Sequence, residues 1–193
     1  MPIILLIRHG ENDVMSRGLA GRLPEVHLNQ TGRRQAVKLA ATLADFPLKA
    51  IYSSPLERAI ETAEPTAAAL HLEVQVRPGL NEIDYGALQG KTYPQARRFK
   101  VWRTVREDPA RAHFPEGESF SEAQQRVLAE VEAIAAAHDE KDVIAIFTHA
   151  DVIRLCLIHY LNMGLDDIQR LSIAPASISV VQQTKDQKKP RVL

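Results

Sequence analysis

Ile3-Ile4-Leu5-Leu6-Ile7-Arg8-His9-Gly10-Glu11 runs without a polar interruption from isoleucine to isoleucine and then turns abruptly to arginine, histidine and glycine. An apolar run with no alternation reads as a strand buried on both faces, as in a parallel sheet covered by helices on either side. It is far shorter than the roughly 20 residues that span a bilayer. It also lacks the basic leader and small-residue cleavage site of a secretion signal. A strand over 3–8 is therefore predicted, with Arg8 and His9 at its carboxyl end.

Outward from this strand, Ala36, Leu39, Ala40, Leu43 and Ala44 recur at helical spacing and predict a helix over 32–45. A short strand over 50–53 runs into Ser54-Pro55-Leu56-Glu57, which has the form of a capping box with Ser54 as N-cap. Pro65 predicts a kink or an early end to the helix that follows. A strand over 73–77 precedes a loop that runs from Pro78-Gly79 to Gly90. Helices are expected within 92–107 and near 120–138, the second opened by the capping-box pattern Ser119-Phe120-Ser121-Glu122. Val143-Ile144-Ala145-Ile146-Phe147 is a second buried strand, leading through Thr148-His149 into a helix at about 150–161. Residues 170–174 and 177–183 are expected as closing strands joined around Pro175. Strands alternating with helices predict one α/β domain over 1–193, with a mainly parallel, doubly wound sheet flanked by helices on both faces and a polar end at about 185–193.

The chain has 193 residues, enough for one ordinary core, and its 24 basic and 24 acidic side chains cancel. That balance predicts no nucleic-acid partner and no membrane partner. Cys156 is the only cysteine, so no internal disulfide and no cysteine-rich zinc site can form; a cytoplasmic location is expected. Mid-helix among Ile153, Leu155 and Leu157, it reads as a core thiol. His27, His71, His113, His138 and His159 show no metal-type spacing, so no metal site is expected. His113 lies in the 109–118 segment, which could form part of a lid over a pocket.

Three places share one geometry. Arg8 and His9 end the first strand, Arg58 lies in the first turn after the second, and His149 stands where the strand ending at Phe147 gives way to a helix. Ligands of open α/β sheets bind beyond the carboxyl ends of the strands, where helix N-termini add unpaired N–H groups. Two arginines and two histidines at one rim predict an anion pocket, with phosphate the obvious anion. Singly, each has an ordinary reading; Arg58, for example, could pair along its helix with Glu57 or Glu61.

Five ordered blocks change that weighting. Leu6-Ile7-Arg8-His9-Gly10-Glu11, Ser53 through Ala63, Leu80 through Gly90, Gly117-Glu118-Ser119 and Thr148 through Arg154 resemble, in order, the motifs of the histidine phosphatase superfamily, the phosphoglycerate-mutase-like proteins. The resemblance implies that His9 attacks phosphorus and becomes a phosphohistidine. It implies that Arg8, Arg58 and His149 bind the phosphoryl oxygens. Glu82 matches the carboxylic acid that protonates the leaving oxygen and then activates water, and Glu11 supports the pocket without touching substrate. The sequence departs from the family pattern at Asn12, where threonine or serine is usual, at Val14-Met15-Ser16, where an asparagine is usual, and at Ala150, where a glycine often stands.

The leading expectation is a phosphomonoester hydrolase acting through His9, independent of metal and cofactor, on a small phosphorylated substrate. Mutase-type transfer between substrate hydroxyls is the alternative, because Tyr85 through Gly90 resembles the mutases. Those carry a longer insertion between the third and fourth blocks, with an arginine pair; here only Arg97-Arg98 and Arg103 could imitate it. A non-catalytic phosphate-binding module is a third reading. The sequence leaves open whether two copies form a homodimer.

Overall fold

The computed structural model describes residues 1–182 and 190–192. Six strands form one sheet: β1 (Ile3–Arg8), β2 (Leu48–Ser53), β3 (Val74–Val76), β4 (Val143–Thr148), β5 (Ile178–Gln182) and β6 (Arg191–Val192), in the order β3-β2-β4-β1-β5-β6. The first four are mutually parallel, whereas β5 and β6 add antiparallel strands at one edge. The helices are α1 (Gln30–Leu43), α2 (Glu57–Leu70), α3 (Tyr93–Ala96), α4 (Lys100–Glu107), α5 (Phe120–Ala136) and α6 (Ala150–Tyr160).

Period-two alternation within the apolar strands divides the core into two layers. Leu5, Ile7, Ile51, Ala145 and Phe147 face Leu39 and Leu43 of α1 and Ala63 and Ala67 of α2. Ile4, Leu6, Tyr52, Ile144 and Ile146 face the other way, onto Val127, Val131 and Ile134 of α5 and Ile153 and Leu157 of α6. Cys156 is buried and free in this second layer. β1 thus feeds a helix on one face, and its neighbour β4 feeds a helix on the other. Their carboxyl ends open onto a crevice of the kind doubly wound sheets use for ligands.

Several local expectations are corrected. Ser54 is not an N-cap: α2 starts at Glu57 with Leu56 as N-cap and no side-chain cap bond, because the Ser54 hydroxyl is engaged by His149. α2 runs through Pro65 to Leu70, anchored by the buried Ala59, Ala63 and Ala67, so the proline does not end it. Residues 170–174 form no strand. A 3₁₀ turn over Leu165–Arg170 leads into irregular chain whose carbonyls are taken by side chains: Leu171 O accepts from Arg154 Nε at 2.8 Å and Ile173 O from Arg8 NH1 at 2.6 Å. The helix expected within 92–107 is split into α3 and α4. The capping box at Ser119 and Glu122 forms as expected. The closing strand predicted over 177–183 is β5, with residue 183 outside the described residues. Most of the polar end also lies outside them, although Arg191–Val192 pairs as β6. No helix among the described residues is long and apolar enough to cross a membrane.

Candidate active site

His9 follows β1 directly and extends its pairing, its N–H donating to Thr148 O at 2.9 Å. The next residue must be glycine. The Gly10 backbone packs on the start of α1, where a Cβ on Gly10 would come within 2.8 Å of Gly32 O and one on Gly32 within 2.1 Å of Glu11 O. Gly10 N–H donates to Thr62 Oγ1 at 2.9 Å, and the Thr62 hydroxyl donates to Arg58 O at 2.6 Å. The loop carrying His9 is therefore tied to the helix carrying Arg58.

His9 Nδ1 lies 2.7 Å from Gly10 O, so Nδ1 carries the proton and Nε2 keeps its lone pair. Burial, then the Arg58 charge, pushes the His9 pKa down to about 3. The imidazole is neutral at pH 7. Arg58 is buried, donating from NH2 to Gly21 O at 2.7 Å, and its Nε and NH1 have no partner; Arg8 Nε is equally unpaired. Buried guanidinium N–H groups are rarely left orphaned, so these converging donors mark a site for an anion.

Arg8, His9, Arg58 and Glu82 line one polar cavity of about 240 Å³, together with Asp151 and Arg154. His149 is fully buried behind this wall rather than on it. Its ring centroid is 5.2 Å from that of His9, and its Nδ1 is 3.9 Å from Glu82 Oε2 with no hydrogen-bond partner. The pair is not ionic, because burial drives the histidine pKa well down and the carboxyl pKa up. Glu82 reaches about 7, raised by desolvation and next by the Asp151 charge, against the lowering effect of Arg58. Glu82 Oε1 also accepts from Ile83 N at 3.0 Å. A carboxyl that titrates near neutrality suits a group that gives and takes protons.

All five predicted site residues are thus in one place, four on the cavity wall and one behind it. Asn12 also lines the cavity, with Oδ1 accepting from Val14 N and Met15 N at 3.0 Å each. Glu11 does not line it; its Oε1 accepts from Asn29 Nδ2 at 2.9 Å. His113 is exposed and bonded to Gly117 O, away from the cavity lining. Arg97 and Arg98 are exposed, and Arg103 pairs with Glu107 at 2.7 Å, so none of the three lines the cavity. Sequence reasoning missed Ser54, hydrogen-bonded to His149, and the wall residues Tyr85, Asp151 and Arg154. The last three stood inside the recognised blocks without an assigned role.

The chain is 34% identical over 189 residues to a 2,3-bisphosphoglycerate-dependent phosphoglycerate mutase of Thermoplasma acidophilum, covering 94% of this chain and 87% of that one. It is 30% identical over 185 residues to phosphoserine phosphatase 1 of Hydrogenobacter thermophilus, covering 92% and 85%. The native structure of a mycobacterial glucosyl-3-phosphoglycerate phosphatase superposes with a TM-score of 0.87 at 26% identity, over 99% of this chain and 96% of that one. Residues 4–193 match the histidine phosphatase superfamily (branch 1), and the chain belongs to that superfamily.

Proposed function

We propose that the protein is a phosphomonoester hydrolase in which His9 carries the phosphoryl group. One observation carries this reading: Gly10 O holds the proton of a neutral His9 on Nδ1, beside unpaired donors of Arg58 and Arg8. His9 Nε2 attacks phosphorus in line as the ester P–O bond breaks, and the departing oxygen takes a proton from Glu82. Water then attacks the phosphohistidine and returns a proton to Glu82. The N–P bond breaks and inorganic phosphate leaves. Arg8, Arg58 and the His149 Nδ1–H stabilise charge on the equatorial oxygens through both steps. The buried free thiol of Cys156 suits a reducing compartment, and the cytoplasm is part of this reading.

Mutase chemistry is the second reading, favoured by the Thermoplasma relative. Hydrolysis is preferred because Arg97, Arg98 and Arg103 stay off the cavity wall. The test is turnover of p-nitrophenyl phosphate in EDTA by the native protein and by His9→Ala. Expected are turnover that His9→Ala abolishes and an acid-labile, base-stable phosphate trapped on His9. Phosphate shuttled between the hydroxyls of phosphoglycerate after priming by the bisphosphate would establish the mutase. No turnover of any phosphomonoester would leave a binding module.

A further inference from the structure

The phosphate cavity, at about 240 Å³, falls below the roughly 300–1,000 Å³ of ordinary ligand clefts and leaves little room for a leaving group beside the phosphoryl. Asp151 and Arg154 line it and also line a second cavity of about 390 Å³, walled further by Trp102, Val105, Arg106, Phe120, Ile168 and Gln169. The shared wall is fixed. Asp151 accepts from Tyr85 OH and from Arg154 NH1, both at 2.6 Å, and Arg154 Nε donates to Leu171 O at 2.8 Å. The far wall is clipped together by Gln169 Nε2 donating to Val105 O at 2.6 Å.

The chemistry of this second cavity is mixed in a particular way. An indole and a phenyl ring with two aliphatic side chains supply apolar surface. A carboxylate, two guanidinium groups and an amide stand beside them. A polyhydroxylated ring matches both parts, since its C–H faces pack on aromatic surface while its hydroxyls bond to carboxylate, guanidinium and amide. A short acyclic phosphate would leave the apolar wall to water. A nucleobase would use the aromatic wall but offers hydrogen bonds only in the plane of its ring, whereas sugar hydroxyls project on several sides toward Asp151, the guanidinium groups and the amide. From this juxtaposition we infer that the second cavity is the leaving-group subsite and takes the sugar ring of a sugar phosphomonoester, with Asp151 and Arg154 at the junction between ring and phosphate. The inference rests on the phosphoryl-transfer reading above and names its substrate class.

The experiment compares kcat/KM for a hexose phosphate, a pentose phosphate, O-phosphoserine and a nucleoside monophosphate in the native protein, Trp102→Ala and Trp102→Phe. A sugar phosphate should be preferred over phosphoserine by about tenfold or more. Trp102→Ala should raise KM for the sugar phosphate, with a loss at least about tenfold greater than for phosphoserine, and Trp102→Phe should restore most of it. Equal losses on both substrates, or a preference for phosphoserine or the nucleoside monophosphate, overturn the assignment. Should none of the four turn over, p-nitrophenyl phosphate tests the reaction itself, which lack of turnover there refutes. Calorimetric binding of the same four ligands to His9→Ala then decides the cavity alone: tighter binding of the sugar phosphates supports it, and equal binding refutes it.

Discussion

The Ser54 hydroxyl lies 2.7 Å from His149 Nε2, and this contact sets which nitrogen of the buried ring carries its proton. Ser54 Oγ also accepts Leu56 N–H at 3.4 Å, and we propose that it gives its own hydrogen to Nε2. The His149 proton is then on Nδ1, the atom with no partner in the fold. An N–H there can donate to a phosphoryl oxygen; a bare lone pair would repel one.

Ser54→Ala should therefore lower kcat by about a hundredfold, the lower end of the range for losing a donor to a developing oxyanion. Ser54→Thr, which keeps the hydroxyl, should retain most activity. ¹⁵N shifts of His149 should report Nδ1–H in the native protein and a mixed population in Ser54→Ala. An Nε2–H tautomer in the native protein would refute the hydroxyl's role.

In the proposed reaction Glu82, whose pKa is raised to about 7, must be protonated to help the leaving oxygen depart. The sign follows directly: kcat/KM should fall as pH rises through about 7. Glu82→Gln should abolish that alkaline limb and slow alkyl phosphates far more than aryl phosphates. The substrate's own ionisation near pH 6 persists in both proteins and separates the two effects. Equal losses on alkyl and aryl esters would remove Glu82 from proton transfer.

The same carboxyl has a cost in stability. Its pKa rises from 4.5 unfolded to about 7 folded, so the folded state binds the extra proton between those values. The Glu82 contribution to stability is accordingly full below pH 4.5 and is lost as pH rises through 7, by about 3 kcal/mol for such a shift. Glu82→Gln should be more stable than the native protein at pH 8, with the difference shrinking toward pH 4.5. Urea melts at the two pH values measure it.

Gly86 sits at φ +49°, and a Cβ there would come within 2.0 Å of Pro115 O. Gly86→Ala thus meets a strained backbone and an immovable carbonyl together. Destabilisation of about 2 kcal/mol or more is expected from thermal melts.

How far the sequence was legible depended on whether backbone or side chains decided the local outcome. The buried strands β1 and β4 and the Ser119 cap follow from pattern alone, because hydrophobic burial and a local hydrogen bond fix them. Arg8, His9, Arg58, Glu82 and His149 were identified through the ordered blocks, and the parallel sheet explains why they meet. The failures share a different cause. Ser54-Pro55-Leu56-Glu57 has a helix-cap pattern, but the hydroxyl goes to His149, 95 residues away in sequence. Residues 170–174 look like strand, but the Leu171 and Ile173 carbonyls are bound by Arg154 and Arg8. Long-range side-chain bonds of the site overrode local propensity in both places.

The Glu82 loop is held from below by two arginines and one carboxylate. Arg22 Nε donates to Glu82 O at 2.8 Å, and Arg126 NH1 donates to Gly79 O and Asn81 O at 2.7 and 2.9 Å. Glu118 joins them, accepting from Arg22 NH2 at 2.7 Å and from Arg126 Nε and NH2 at 2.9 Å each. Burial pushes the Glu118 pKa up, but the Arg126 and Arg22 bonds outweigh it and hold the carboxylate ionised. Glu118→Gln leaves Arg126 without its carboxylate and Arg22 with Asp84 alone, at 3.5 Å. With the pair about one-fifth exposed, a loss of roughly 1–3 kcal/mol in stability is expected. The freed positive charge also favours the ionised form of Glu82, so the alkaline limb of kcat/KM should move to lower pH. A loop held only by shape would lose stability with its limb unmoved, and that outcome would confine Glu118 to bracing the fold.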